Sequence, residues 1–369
     1  MKILYTKSGS SPYRVDFFNE LGKHIDLDVL YEYRIAFDRD KTWSLKVAHH
    51  FKEFFLKSFH LFGSTVVSFD FTKHLKKKYD LIIVGEYNTM TGRLITLYLS
   101  AKKIPFALNI DGGYIKKNDN WLKKKSKTFF ISKPTWWLSP SIESDSYLKH
   151  YGAVESNIYR YPFTSVLEKD VLLNVLTVEE KDEIRKKLKI TEKKVVMTVG
   201  RFIKSKGFDV LLKSFSKVES KTGLYIVGGE PTEEYLELID KYNLKNVHFI
   251  SFLNKNELAN YYKAADLFVL PTRKDVWGLV INEAMSFGLP VITTDKCVAG
   301  IELVEDNENG FIVPVDDQEE LTQKINTILL NETLRNKMAL NSLKKIQQFT
   351  IEEMANAHLR FFEEIKQKK

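Results

Sequence analysis

Short aliphatic and β-branched runs, each closed by a polar or glycine-rich loop and followed by apolar positions at helical spacing, recur along this chain. Strands buried on both faces read as continuous apolar runs, so the alternation predicts an α/β architecture with parallel sheets. In the first half the runs cover residues 2–5, 27–31, 81–84, 104–110, 136–141 and 159–163, with a helix over 15–21 after the first. In the second half they cover 194–199, 223–229, 247–253, 266–271 and 291–294, with helices over 179–188 and 210–218. A further helix lies within 275–287, stopped by Phe287-Gly288-Leu289-Pro290, since Gly then Pro ends a helix. The tail, 321–369, is mostly helical in pattern.

A chain of 369 residues fits two domains of ordinary size, and the polar stretch 164–192 marks a hinge between them. No run of 18 apolar residues exists to span a bilayer, and the N-terminal apolar run suits a buried strand better than a signal sequence. The expected location is therefore the cytoplasm. The single cysteine, Cys297, allows no internal disulfide and no cysteine-rich metal site.

The net charge of +8 is unevenly spread: residues 1–170 hold 27 Lys and Arg against 18 Asp and Glu, whereas 171–369 hold 29 against 30. The densest clusters are Lys76-Lys77-Lys78, Lys116-Lys117 and Lys123-Lys124-Lys125 with Lys127. Residues 43–62, WSLKVAHHFKEFFLKSFHLF, place large apolar side chains near a 3.6 period with lysines between them. That pattern predicts an amphipathic helix, either packed on the core or lying on an anionic membrane surface. No helix-turn-helix, zinc-finger or RNA-binding signature accompanies the lysines, so nucleic acid is not an expected partner. Asp38-Arg39-Asp40 has the spacing of an Asp-x-Asp metal motif but sits in a polar loop, and no other cluster has metal-ligand spacing; no metal is expected.

Two motifs carry chemistry. After the strand at 194–199 comes Gly200-Arg201-Phe202-Ile203-Lys204-Ser205-Lys206-Gly207-Phe208-Asp209, cations and glycines where a strand delivers its carboxyl end. A diphosphate is bound by such groups, with glycine allowing close backbone approach. The stretch 275–295, DVWGLVINEAMSFGLPVITTD, then forms a loop, helix and strand with Asp275 in the loop and Glu283 eight positions on. Ligands of open α/β sheets sit beyond the strand carboxyl ends, so Asp275, Val276, Trp277, Gly278 and Leu279 face a pocket.

Together these motifs resemble the retaining glycosyltransferases of family 4, in the glycosyltransferase group 1, dense over 195–315 and loose before residue 130. The resemblance implies the GT-B fold: two Rossmann-like α/β/α domains facing each other across a cleft. It places an acceptor-binding domain at 1–167, a nucleotide-sugar domain at 168–350, and a last helix at 351–369 returning to the first domain, with Phe361 and Phe362 as anchors. It implies that Gly200, Arg201 and Lys206 hold the donor diphosphate, that Asp275 meets the donor sugar and that Glu283 holds the ribose. Phe252 and Leu253 inherit the base contact, although Ser251 stands where the family usually has glycine. Asp275 is one methylene shorter than the usual glutamate. Many members have a histidine at the strand end that here carries Asp111, which either recognises a sugar hydroxyl or acts as a weak base. Ser10, Arg14, Glu86 and Tyr87, on loops at the same edge, are the acceptor-binding candidates.

The expected activity is metal- and cofactor-independent transfer of a hexose or N-acetylhexosamine from a nucleotide-diphosphate sugar, with UDP favoured. The expected acceptor is a glycan or a polyprenyl-linked glycan, placing the enzyme at the inner face of the membrane. A two-domain nucleotide-sugar 2-epimerase and a non-catalytic lipid-binding protein are the alternatives, and the phosphate and ribose motifs are idle in the latter.

Overall fold

A computed structural model describes residues 1–34, 46–60, 66–115, 120–219 and 221–368. The first apolar run becomes β1 (Lys2–Gly9), in which Ile3, Leu4 and Tyr5 are fully buried. Pro12 then opens α1 (Pro12–Gly22), its fixed φ already helical. The chain continues through β2 (Asp26–Tyr33), β3 (Lys52–Phe55), β4 (Ser58–His60), β5 (Val66–Ser68), α2 (Phe71–Leu75), β6 (Leu81–Val84) and α3 (Met90–Ala101). It closes its first pass with β7 (Ala107–Asn109), α4 (Trp121–Ile131), β8 (Trp136–Ser139), α5 (Ile142–His150) and β9 (Ile158–Arg160). Seven of these strands make one parallel sheet in the order β3-β2-β1-β6-β7-β8-β9, while β4 and β5 form a small antiparallel ribbon.

One expectation is overturned here. The described part of 43–62 holds no helix; it holds β3 and β4 instead. Strand β3 extends the sheet edge by pairing with β2, from Asp28 opposite Lys52 to Tyr31 opposite Phe55, and the Phe55 ring stacks on Tyr31 at 5.4 Å. A run this rich in aromatics satisfies several periods at once, and the sheet edge supplies backbone partners that an isolated helix lacks. The helical basis for membrane docking at this segment is therefore lost.

Residues 166–349 form a compact unit of their own, and Met1–Ser165 with Thr350–Lys369 form the other. The second unit runs α6 (Val178–Leu188), β10 (Lys194–Val199), α7 (Phe208–Phe215), β11 (Thr222–Val227), α8 (Glu233–Tyr242), β12 (Val247–Ile250), α9 (Lys255–Ala264) and β13 (Leu267–Leu270). It ends with α10 (Leu279–Ser286), β14 (Val291–Thr294), α11 (Val298–Leu303), β15 (Gly310–Val313), α12 (Gln318–Leu330) and α13 (Glu332–Ile346). Its sheet is parallel in the order β12-β11-β10-β13-β14-β15. Order reverses about β10, which has the next strand, β11, on one side and β13 on the other; this is the switch point where open α/β sheets bind ligands.

The last helix, α14 (Ile351–Gln367), belongs to the first unit. Phe361 and Phe362 are buried there, and Phe361 packs on Tyr159 at 4.6 Å. His358 lies between Phe17 and Tyr161, at 4.8 and 4.9 Å, and burial pushes its pKa down to about 4. It is a neutral core residue at ordinary pH.

Candidate functional site

In the second unit the predicted chemistry gathers on the loops that leave the neighbouring strands β10 and β13. After β10 the chain makes a short 3₁₀ turn, Lys204–Lys206, and reaches Gly207 at φ +70°. A Cβ there would stand 2.0 Å from the Pro271 carbonyl oxygen, so only glycine lets the two loops come this close. Lys206 Nζ consequently donates to Asp275 Oδ2 at 2.6 Å, with both side chains mostly buried.

A residue that the motifs do not single out fixes this geometry. Arg273 forks onto Asp209, Nη1 to Oδ1 at 2.8 Å and Nη2 to Oδ2 at 2.7 Å, while its Nε donates to Asp316 Oδ1 at 2.6 Å. Its Nη1 also donates to the Lys204 carbonyl at 2.7 Å, and its backbone N–H to the Ser205 carbonyl at 2.8 Å. Thus the β13 loop is tied to the turn that carries Lys206. Burial works against ionisation of Asp209, but the Arg273 fork outweighs it and holds the carboxyl below the usual range. Planar bidentate pairing of this kind needs arginine rather than lysine.

Asp275 is also anchored through its backbone, which donates to the Lys296 carbonyl at 3.0 Å, and its Oδ1 accepts from the Trp277 N–H at 3.4 Å. The Trp277 ring is buried, with Nε1 donating to Asn282 Oδ1 at 3.0 Å, so its side chain packs the loop and only its backbone belongs to the Asp275 turn. Gly278, at φ +106°, passes so near Cys297 that a Cβ would lie 2.8 Å from Sγ. Burial, aided by the Asp275 charge, pushes the Cys297 thiol up to about 12, which makes it an inert packing group.

The other candidates of this unit lie on its strand-end loops and on α10. Arg201 is exposed on the same loop as Lys206, and the Gly200 N–H closes the strand end by donating to the Val227 carbonyl at 2.9 Å. Glu283 is half-buried on α10, where its Oε2 accepts from the Tyr262 hydroxyl at 3.1 Å. Beyond β12, Phe252 is exposed and Leu253 half-buried, and the Ser251 hydroxyl donates to Glu230 at 2.9 Å. Val276 is exposed, and Leu279 half-buried. Among the described residues no group of three or more His, Cys, Asp or Glu is placed to hold a metal ion; Asp38-Arg39-Asp40 lies outside them.

The first unit builds a second charged cluster at the carboxyl ends of β1, β6 and β7. Lys7, at the end of β1, is a buried cation that sequence reading passed over. Its Nζ donates to Asp111 Oδ1 at 3.2 Å and Oδ2 at 3.1 Å, and to the Gly85 carbonyl at 3.2 Å. Buried Arg14, in the first turn of α1, pairs with Asp111 from the other side, and Glu86 lies 3.8 Å from Lys7. Burial opposes the Asp111 charge, but Arg14 and then Lys7 overcome it and hold the carboxyl below the usual range. At neutral pH Asp111 is therefore a fixed hydrogen-bond acceptor; its remaining lone pairs suit a hydroxyl donor, and it is a poor proton acceptor. Tyr87 pairs its hydroxyl with Tyr147, and Ser10 is half-buried in the loop between β1 and α1.

Residues 180–345 match the family model of glycosyl transferases group 1. The second unit belongs to that family. The chain is 30% identical over 188 residues to an uncharacterized glycosyltransferase of Haemophilus influenzae, covering 49% of this chain and 53% of that protein. It is also 30% identical over 179 residues to the capsular polysaccharide biosynthesis glycosyltransferase CapM of Staphylococcus aureus, covering 46% and 47%. The chain thus spans about half the length of these curated relatives. Over its whole length it superposes on Anabaena HepE, solved in complex with UDP, with a TM-score of 0.78 at 18% identity and complete coverage of both chains. That likeness establishes the GT-B fold.

Proposed function

We propose that the chain is a retaining, metal-independent glycosyltransferase. It moves a hexose or N-acetylhexosamine from a UDP-linked sugar to a glycan or polyprenyl-linked acceptor in surface polysaccharide assembly, on the cytoplasmic side of the membrane. The group 1 match, the name of the CapM relative and the UDP bound by HepE support this reading. The observation that carries it is the Lys206–Asp275 pair at the switch point, clamped by Arg273.

Breaking the bond between the sugar C1 and the diphosphate oxygen leaves both bonding electrons on the phosphate. Arg201 and Lys206 stabilise that growing charge, while Glu283 accepts from the ribose hydroxyls. Asp275, already ion-paired, accepts from a hydroxyl of the donor sugar and orients Lys206. The acceptor hydroxyl attacks C1 from the face the diphosphate leaves, and its proton passes to a departing phosphate oxygen. In the first unit Asp111, kept ionised by Lys7 and Arg14, accepts a hydrogen bond from a sugar hydroxyl.

Incubation with a panel of nucleotide sugars tests this proposal. Slow release of free nucleoside diphosphate is the expected result, whereas a changed sugar without release points to an epimerase. The absence of both release and binding with every donor would contradict the transferase.

A further inference from the structure

Helix α4 buries less of itself than the other helices of similar length in the first unit. Helices α1 and α3 each bury five residues, but α4, WLKKKSKTFFI, buries only Ile131. Trp121 is 62% exposed, Leu122 66% and Phe129 46%. With Lys124, Lys125, Thr128 and Ser132, two of these rings line a shallow groove. Along the row spaced by four residues the Lys125 ammonium lies 5.3 Å over the Trp121 ring, and Lys133 lies 4.6 Å over Phe129. No Asp or Glu occurs from residue 120 to 142, a span that holds five lysines.

We propose that this surface of α4 docks the first unit on an anionic lipid bilayer. The rings and Leu122 enter the headgroup boundary while the lysines reach lipid phosphates. Exposed Trp, Leu and Phe among lysines are the composition of an interfacial helix, whereas lysine is depleted at protein interfaces. The absence of acids across 120–142 removes the charge that would repel an anionic surface, and the basic excess of residues 1–170 favours the same partner. A lone lysine run is ordinarily a solvated surface; the difference here is the three large apolar side chains held out of the core beside it. The inference stands independently of the catalytic proposal, because lipid binding is measured without any sugar donor.

Co-sedimentation of the full chain with vesicles of phosphatidylcholine, with and without phosphatidylglycerol, is the test. At low salt we expect at least about 25-fold stronger partitioning to the anionic vesicles, falling steeply as salt rises. Each lysine near the surface contributes about fivefold, so Lys124→Gln with Lys125→Gln lowers partitioning about 25-fold. Trp121→Ser lowers it at constant charge, and thermal melting of these surface variants stays at the wild-type value. Equal partitioning to neutral and anionic vesicles overturns the proposal. So does an equal loss from Lys76→Gln with Lys78→Gln, which makes the effect one of general charge, or binding to RNA with none to vesicles.

Discussion

Lys206 Nζ lies 2.6 Å from Asp275 Oδ2, although 69 residues separate them, because Gly207 lets its loop press against the Pro271 carbonyl. The cation assigned to the leaving diphosphate and the acid assigned to the donor sugar thus form one unit. Charge-assisted contacts of this kind are worth about 1.5–3 kcal/mol, so Lys206→Ala and Arg201→Ala should each lower turnover about 10- to 100-fold. Circular dichroism should show both variants folded. Wild-type rates in either would remove that residue from the diphosphate site.

Arg273 gives a prediction about architecture. Arg273→Met removes the fork onto Asp209 and the bonds to the Lys204 carbonyl and Asp316, loosening the turn that carries Lys206. It should weaken donor binding although Arg273 is assigned no donor contact, and Arg273→Lys should rescue it only partly. The pH dependence has a definite sign. Asp209 is held below its unfolded pKa, so its contribution is present above about pH 4 and is lost as pH falls through the lower folded value. Acid melting curves should therefore show wild type and Arg273→Met converging at low pH.

Glu283→Gln should raise the dissociation constant of the donor's nucleoside diphosphate more than Asp275→Asn does. A carboxylate that accepts two ribose hydroxyls loses acceptor capacity as an amide, whereas Asp275 already spends one oxygen on Lys206. Calorimetric titration with a nucleoside diphosphate alone measures this, since it carries the ribose and lacks the sugar. The opposite order would exchange the two roles.

Asp111 pairs with two buried cations; removing it takes that carboxylate from Arg14 and leaves Lys7 facing Glu86 at 3.8 Å. Asp111→Leu should destabilise the protein by about 3 kcal/mol, near the low end for a broken buried pair because the carboxylate itself is partly exposed. Adding Lys7→Met should recover part of that loss. Additive loss in the double variant, measured by urea unfolding, would show that Lys7 and Asp111 do not act together.

The strands and the Lys206 and Asp275 motifs were legible because both signals are local: apolar runs, and glycines and charges at fixed spacing. Arg273 and Lys7 were not. Each is defined by a partner on another element, Asp209 on α7 for the first and Asp111 in the loop after β7 for the second, and spacing along the chain does not encode such pairs. Residues 43–62 failed for a different reason. Their aromatic density fits a helical period, yet Lys52–Phe55 gains sheet partners from β2 that the pattern cannot reveal. Trp277 was legible as part of the Asp275 loop but not as a buried ring, since burial is set by packing that the local spacing does not encode.

The central claim is that the β10 and β13 loops bind the diphosphate of a nucleotide through Lys206. Thermal unfolding of wild type and Lys206→Ala in UDP, GDP and ADP tests it most directly, because a ligand that binds only the folded state raises the melting temperature. At a ligand concentration of about 100 times its dissociation constant, the bound nucleotide adds about 2.7 kcal/mol in wild type. The account predicts a clear rise with at least one of the three, UDP first, and little or none in the variant. No rise with any of them, or an equal rise in Lys206→Ala, would contradict it.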